Sequence, residues 1–132
     1  MRIGSRLAFV AVVAVALLLA GPGNGQAADY YWNTASGTWL TGANWSDNAT
    51  SGGTTGVVPG IPDTVTFNQT SVNGAETISL GGDQAALGIT FRNTGTTLIQ
   101  GGGSNQILTI GGSGITINSG AGAVTIGSAT AG

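Results

Sequence analysis

Between residues 65 and 126 one short pattern recurs: an apolar residue, a hydroxyl residue and a second apolar residue, set off by glycine-rich turns. It appears as Val65-Thr66-Phe67, Ile78-Ser79-Leu80, Ile89-Thr90-Phe91, Leu108-Thr109-Ile110, Ile115-Thr116-Ile117 and Val124-Thr125-Ile126, with Thr97-Leu98-Ile99 as a looser match. Alternate side chains of a strand point to opposite faces, so each triplet sends two apolar groups inward and one hydroxyl outward. Successive triplets start 13, 11, 8, 11, 7 and 9 residues apart. Steps near ten suit an antiparallel sandwich or meander, and equally a parallel coil in which each triplet is one wall of a rung. The likeness of the triplets, the variable Gly-rich turns and the thin apolar content favour the coil. The expected fold is all-β: short right-handed parallel β-solenoid (β-helix) rungs after a Trp-rich N-terminal cap, with an antiparallel β-sandwich as the alternative.

Composition removes whole classes of chemistry. Lys, His and Cys are absent, and only three Arg and five Asp or Glu are present. Ser-His-Asp and Cys-His catalysis, Schiff-base lysines, disulfides and zinc sites of His or Cys are therefore excluded. A net charge of −2 offers nucleic acid no basic surface. Helix formers are sparse beyond residue 28. Asp83-Gln84-Ala85-Ala86-Leu87 is the one stretch there that could make a helical turn, ended by Gly88. Pro59 and Pro62 bracket an expected extended loop.

The first residues read as an address. Arg2 and Arg6 precede an unbroken apolar run of 14 residues, Leu7 to Ala20. Gly21, Pro22 and Gly23 then break it, and small residues follow at Gly25, Ala27 and Ala28. This is the layout of a secretory signal peptide, and the run is too short for the roughly 20 apolar residues of a spanning helix. Cleavage after Ala27 places Gly25 and Ala27 at −3 and −1; cleavage after Ala28 is nearly as suitable. The expected organisation is a signal peptide over 1–28, a Trp/Tyr-rich cap segment over 29–62 and a Gly/Thr-rich repeat region over 63–132. No second apolar stretch in the mature chain is long enough to span a bilayer. The last triplet runs straight into Ser128-Ala129-Thr130-Ala131-Gly132 with no capping segment, as in the front end of a longer array.

Trp32, Trp39 and Trp45 invite two readings. Their rings suit stacking on sugars of a cell-surface or extracellular polysaccharide, with Asn33 and Asn44 as hydrogen-bonding neighbours. They equally suit a buried cluster closing the first rung, and large aromatic areas offset a thin core; the cluster is favoured. Asp63, Glu76 and Asp83 are candidates for a glycosidase pair, but Asp63 follows Pro62 at the entry to a strand and Asp83 follows Gly81-Gly82, and solvated turn carboxylates are the expected reading. Gly111-Gly112-Ser113-Gly114 approaches the calcium-binding nonapeptide, but Thr116 stands where that motif has Asp. No catalytic, cofactor or metal residue is assigned, and the oligomeric state is left open.

Tyr30-Tyr31-Trp32-Asn33, Gly37-Thr38-Trp39, Ala43-Asn44-Trp45-Ser46 and Pro62-Asp63-Thr64-Val65-Thr66-Phe67 form a series. It resembles the opening of bacterial proteins with autotransporter-associated β-strand repeats, and Leu87 to Ile126 is similar in style to the repeats themselves. The resemblance implies an exported, β-helical, passenger-like protein of the cell surface or the medium, adhesin-like or structural and not an enzyme. Unlike a complete autotransporter, the chain shows no C-terminal segments patterned as a translocator barrel.

Overall fold

The computed structural model describes residues 26–103 and 105–127. The expected leader, through residue 25, and the tail from residue 128 lie outside them.

Nine strands occur among the described residues: β1 (Asp29–Trp32), β2 (Ser36–Thr38), β3 (Trp45–Ser46), β4 (Thr64–Phe67), β5 (Glu76–Ser79), β6 (Gln84–Phe91), β7 (Thr97–Gln100), β8 (Leu108–Ile117) and β9 (Val124–Ile126). They form two sheets, ordered β3-β1-β4-β6-β8 and β2-β5-β7-β9. With β3 set aside, the chain alternates between them, one strand in the first sheet and the next in the second. Every pairing is parallel except β1 with β3. The antiparallel sandwich is thus corrected. Parallel neighbours need a crossover between them, and here each crossover carries a strand of the opposite sheet. The Trp-rich segment supplies β1 and β2, the first parallel strand of each sheet.

Register places like on like. Val65, Ile89 and Ile115 are paired in succession, as are Phe67, Phe91 and Ile117, and in the second sheet Ile78, Ile99 and Ile126. The rings of Phe67 and Phe91 stack at 5.5 Å with 16° between their planes. Val65, Phe67, Ile78, Ile89, Phe91 and Ile99 join Trp32, Trp39, Trp45, Leu80 and Ala86 in one core. Among the described residues no further strand pairs beyond the third member of each row, and Ile115, Ile117 and Ile126 are 48%, 60% and 43% exposed.

Two local expectations are corrected. Asp83 to Leu87 makes no helical turn: residues 84–91 are the single strand β6, because Gln84 and Ala86 face the core with the strand period of two. The only helical element described is a 3-10 turn over Gly42–Asn44. Likewise Leu108-Thr109-Ile110 and Ile115-Thr116-Ile117 are not separate walls but the two ends of β8. Gln84 pairs with Leu108 whereas Gly88 pairs with Gly114, so β8 carries two more residues than β6 over that interval. Glycine absorbs such an irregularity without ending the strand. A Cβ on Gly88 would lie 2.6 Å from that of Ser113. The proline-flanked loop does close tightly at its end, where Asp63 N donates to Gly60 O at 3.0 Å.

The corners leading into the second sheet share a construction that the triplets conceal. Gly74, Gly95 and Gly122 each stand two residues ahead of a strand, β5, β7 and β9 respectively. Asn93 knits the first two together: its Nδ2 donates to Gly74 O at 2.7 Å, and its Oδ1 accepts from Gly74 N and Gly95 N. Its own carbonyl takes Gly122 N at 2.8 Å. Arg92, the one cation beyond residue 6, ties the loop after β3 to this corner. Its Nη2 donates to Ala49 O at 2.7 Å, its Nε donates to Asn68 O, and its guanidinium lies over the Tyr31 ring.

Candidate functional site

The three tryptophans are brought together, but inside the protein. β1 ends at Trp32, Trp39 follows β2, and β3 begins at Trp45, so the first circuit of chain folds all three rings over Phe67. Trp45 meets Trp32 and Trp39 edge to face at 5.0 and 4.9 Å, and its centroid lies 5.7 Å from that of Phe67. Its Nε1 donates to the Trp39 carbonyl at 2.8 Å. All three are 0% exposed, so no ring face is open to a sugar. The sugar-stacking reading of Trp32, Trp39 and Trp45 is corrected on that ground, since stacking needs a solvent-facing ring. Asn44 Nδ2 is occupied by the Thr38 carbonyl and Asn33 Nδ2 by that of Gly53.

The candidate carboxylates are dispersed and each is engaged. Asp63 closes the turn before β4: Oδ2 accepts from Gly60 N at 2.9 Å and Oδ1 from Ala28 N at 3.1 Å. Asp83 precedes β6, and its Oδ1 accepts from Ile107 N at 2.8 Å. Glu76 opens β5 in the opposite sheet and points into the core. Only Asp83 matches the expectation of a solvated turn carboxylate; Asp63 and Glu76 are 9% and 3% exposed. The position of Asp63 after Pro62 suggests a solvated turn, and for Glu76 the strand period of two, which carries it inward together with Ile78, is the signal that was missed.

Around Glu76 lies a polar cluster that the sequence reasoning did not find. Asn68 Nδ2 donates to Oε2 at 3.0 Å and Thr97 Oγ1 donates to Oε1 at 2.7 Å. Asn93 Nδ2 reaches Thr97 Oγ1 at 3.3 Å. A signal for it exists: Asn68 directly follows the aromatic that ends β4, and Asn93 stands two residues after the one that ends β6. Burial pushes the Glu76 carboxyl above its ordinary value of 4.5, while the hydrogen bonds from Thr97, Asn68 and Asn93 pull the other way. A carboxyl whose folded pKa lies above its unfolded one binds its proton more tightly in the native state. Its stabilising contribution is therefore complete below the unfolded pKa and is lost as pH rises through the folded one. Glu76→Gln removes this titration. Relative to wild type, the variant is expected to gain in melting temperature as the pH is raised from about 4 to about 7; melting curves that shift in parallel would contradict it. Tyr30 is shifted upward too, by partial burial first and then by the nearby charges of Asp63 and Asp47.

At the far end of the sheets, Leu80, Ile99, Leu108 and Ile126 line an open hollow of about 470 Å³, with Gln100 and Gly127 on its wall. Among the described residues, no group of three His, Cys, Asp or Glu is placed to hold a metal ion, and no helix is long and apolar enough to cross a membrane. Comparison with protein-family models, curated proteins and solved structures gives no match.

Proposed function

We propose that this chain is the front part of an exported, non-enzymatic β-solenoid protein, adhesin-like or structural, of the autotransporter-associated β-strand repeat type. The observation that carries this reading is the in-register parallel stacking of equivalent positions over successive circuits: Val65 on Ile89 on Ile115 and Ile78 on Ile99 on Ile126. Such an architecture grows by adding like layers, and its outer faces repeat with it. On the first sheet, Tyr31, Thr66, Thr90 and Thr116 pair in one row on the face opposite the core. The row is hydroxyl-rich and its own side chains are uncharged, with the Arg92 guanidinium lying over the ring of Tyr31 at one end. It suits many weak contacts with a neutral polymer such as cell-surface or extracellular polysaccharide, and in this reading those contacts fall on the hydroxyl row and not on the tryptophans. The carboxylates support the same view: Asp63 and Asp83 brace backbone turns, and Glu76 is held by Asn68 and Thr97.

The test is where the chain goes. Expressed with its leader in an exporting bacterium, it is expected to shed that leader and to be recovered outside the cytoplasmic membrane, open to added protease on intact cells or free in the medium. Recovery of the uncleaved chain in the cytoplasm would overturn the reading.

A further inference from the structure

The start of β1 carries information about processing. We infer that hydrolysis of the Ala27–Ala28 peptide bond removes residues 1–27, and that the ammonium group it leaves on Ala28 pairs with the carboxylate of Asp63. The inference rests on the export reading above, and sharpens it to one bond and one partner.

Three observations converge on Ala28. Its nitrogen already donates to Asp63 Oδ1 at 3.1 Å, and its carbonyl accepts from Thr64 N at 2.9 Å. Ala28 is thus held on both sides where β1 begins to pair with β4, Asp29 opposite Thr64. Gln26 and Ala27, by contrast, are exposed. A chain starting at Asp29 would forfeit both bonds, so of the two cleavage positions that the small residues allow, only the one after Ala27 keeps these two ties at the start of the first strand. Gly25 and Ala27 then supply the small −3 and −1 residues that leader cleavage requires.

Charge favours the same bond. Asp63 is buried, and Tyr30 feels the charges of both Asp63 and Asp47. Asp29 adds a third carboxylate, which accepts from the Thr64 hydroxyl. Arg92, the one cation beyond residue 6, spends its hydrogen bonds on the carbonyls of Asn68 and Ala49. Hydrolysis supplies a cation at the place that lacks one. Water adds across the Ala27–Ala28 bond, its hydroxyl completing the Ala27 carboxyl and its hydrogen passing to the Ala28 nitrogen. That nitrogen then takes a proton from solvent, and a neutral amide donor becomes an ammonium 3.1 Å from a carboxylate oxygen. A charge-assisted bond of this kind is shorter and stronger than its neutral counterpart. The leader, once removed, leaves a terminus that fastens the first strand.

The experiment is to express the whole chain with its leader in an exporting bacterium, measure the intact mass of the product, and titrate its α-amino group by NMR. The expected result is a chain beginning at Ala28 whose α-ammonium holds its proton at least roughly tenfold more tightly than in the same chain under denaturant, where such groups titrate near 7.7–8.0. Asp63→Asn is expected to abolish that difference; the comparison with denaturant stands without the variant should it fold poorly. A product cleaved at any other bond, or an Ala28 amine titrating alike in folded and denatured chains, would overturn the inference while leaving export intact. An uncleaved chain beginning at Met1 would overturn the export reading itself.

Discussion

Trp45→Ala is expected to destabilise the folded chain by about 3–5 kcal/mol, the range for truncating a buried aromatic. Trp45 is fully buried at the meeting point of Trp32, Trp39 and Phe67, so its loss opens a cavity bounded by three other rings. It also frees the Trp39 carbonyl from its bond to the indole N–H. Small domains have total stabilities of about 5–15 kcal/mol, so this one change removes roughly a fifth or more of an ordinary margin. The measurement is denaturant unfolding followed by circular dichroism, in which the midpoint should fall steeply with little change of slope. Leu40→Ala is the comparison: Leu40 is 54% exposed, and its truncation should stay within about 0.5 kcal/mol. Equal effects at the two positions would mean that the tryptophan cluster does not hold the first circuit together.

Gly95→Ala is expected to have an effect of similar size by the opposite route. A Cβ at residue 95 would lie 2.0 Å from the carbonyl carbon of Gly74 and 2.1 Å from its oxygen. Those are backbone atoms, which cannot swing aside as a side chain does. One circuit above, a Cβ on Gly122 would meet the Gly95 oxygen at 2.2 Å. The three glycines are in contact at the corner that Asn93 organises, so relieving the clash must spread the circuits apart. A loss of about 3 kcal/mol, the upper end for overpacking, is expected. Gly112→Ala provides the contrast, because nothing lies within 4 Å of a Cβ placed there; its effect should be within about 0.5 kcal/mol. If the two alanines behaved alike in thermal melts, the close corner contact would be wrong.

The strands were legible in the sequence wherever the apolar-hydroxyl-apolar triplet sits in a covered layer. Val65 and Phe67 face the core with Thr66 outward, as the period of two requires. The looser match Thr97-Leu98-Ile99 also forms a strand, with Thr97 and Ile99 inward and Leu98 outward. Thr97 is inward because Glu76, its paired residue in β5, needs a donor there. That demand is non-local, and no periodicity within one segment shows it. For the same reason Asp63 and Glu76 looked solvated: one oxygen of each is satisfied by a group 35 and 21 residues away, respectively. The stretch from 83 to 87 misled because its alanines are good helix formers, and the pairing of Gln84, Ala85 and Ala86 with β8 outweighs that local preference. Glycine misled in the other direction. Gly111 to Gly114 looked like a turn between strands, yet β8 runs through them.

Of the functional candidates, the tryptophans were legible as a cluster but not as a surface. Spacings of seven and six residues do not reveal which way three rings face, whereas two sheets closing over Phe67 do. The Asn and Gly corners were present in the chain as Asn68, Asn93, Gly74, Gly95 and Gly122. They become a pattern only when the circuits are aligned on their second-sheet strands.

The account rests on circuits stacked in parallel and in register. The most direct test uses the absence of cysteine. Two double variants, Thr77→Cys/Leu98→Cys and Ser79→Cys/Gln100→Cys, each receive a pair of nitroxide labels on the outer face of the second sheet. Both pairs are direct neighbours across β5 and β7, about 4.8 Å apart at the backbone. Parallel register predicts strong and similar spin–spin broadening in both. An antiparallel arrangement that brought residues 77 and 98 together would separate 79 from 100 by about 14 Å along the strands. Strong broadening in one pair and its loss in the other would contradict the parallel stack and the function built on it.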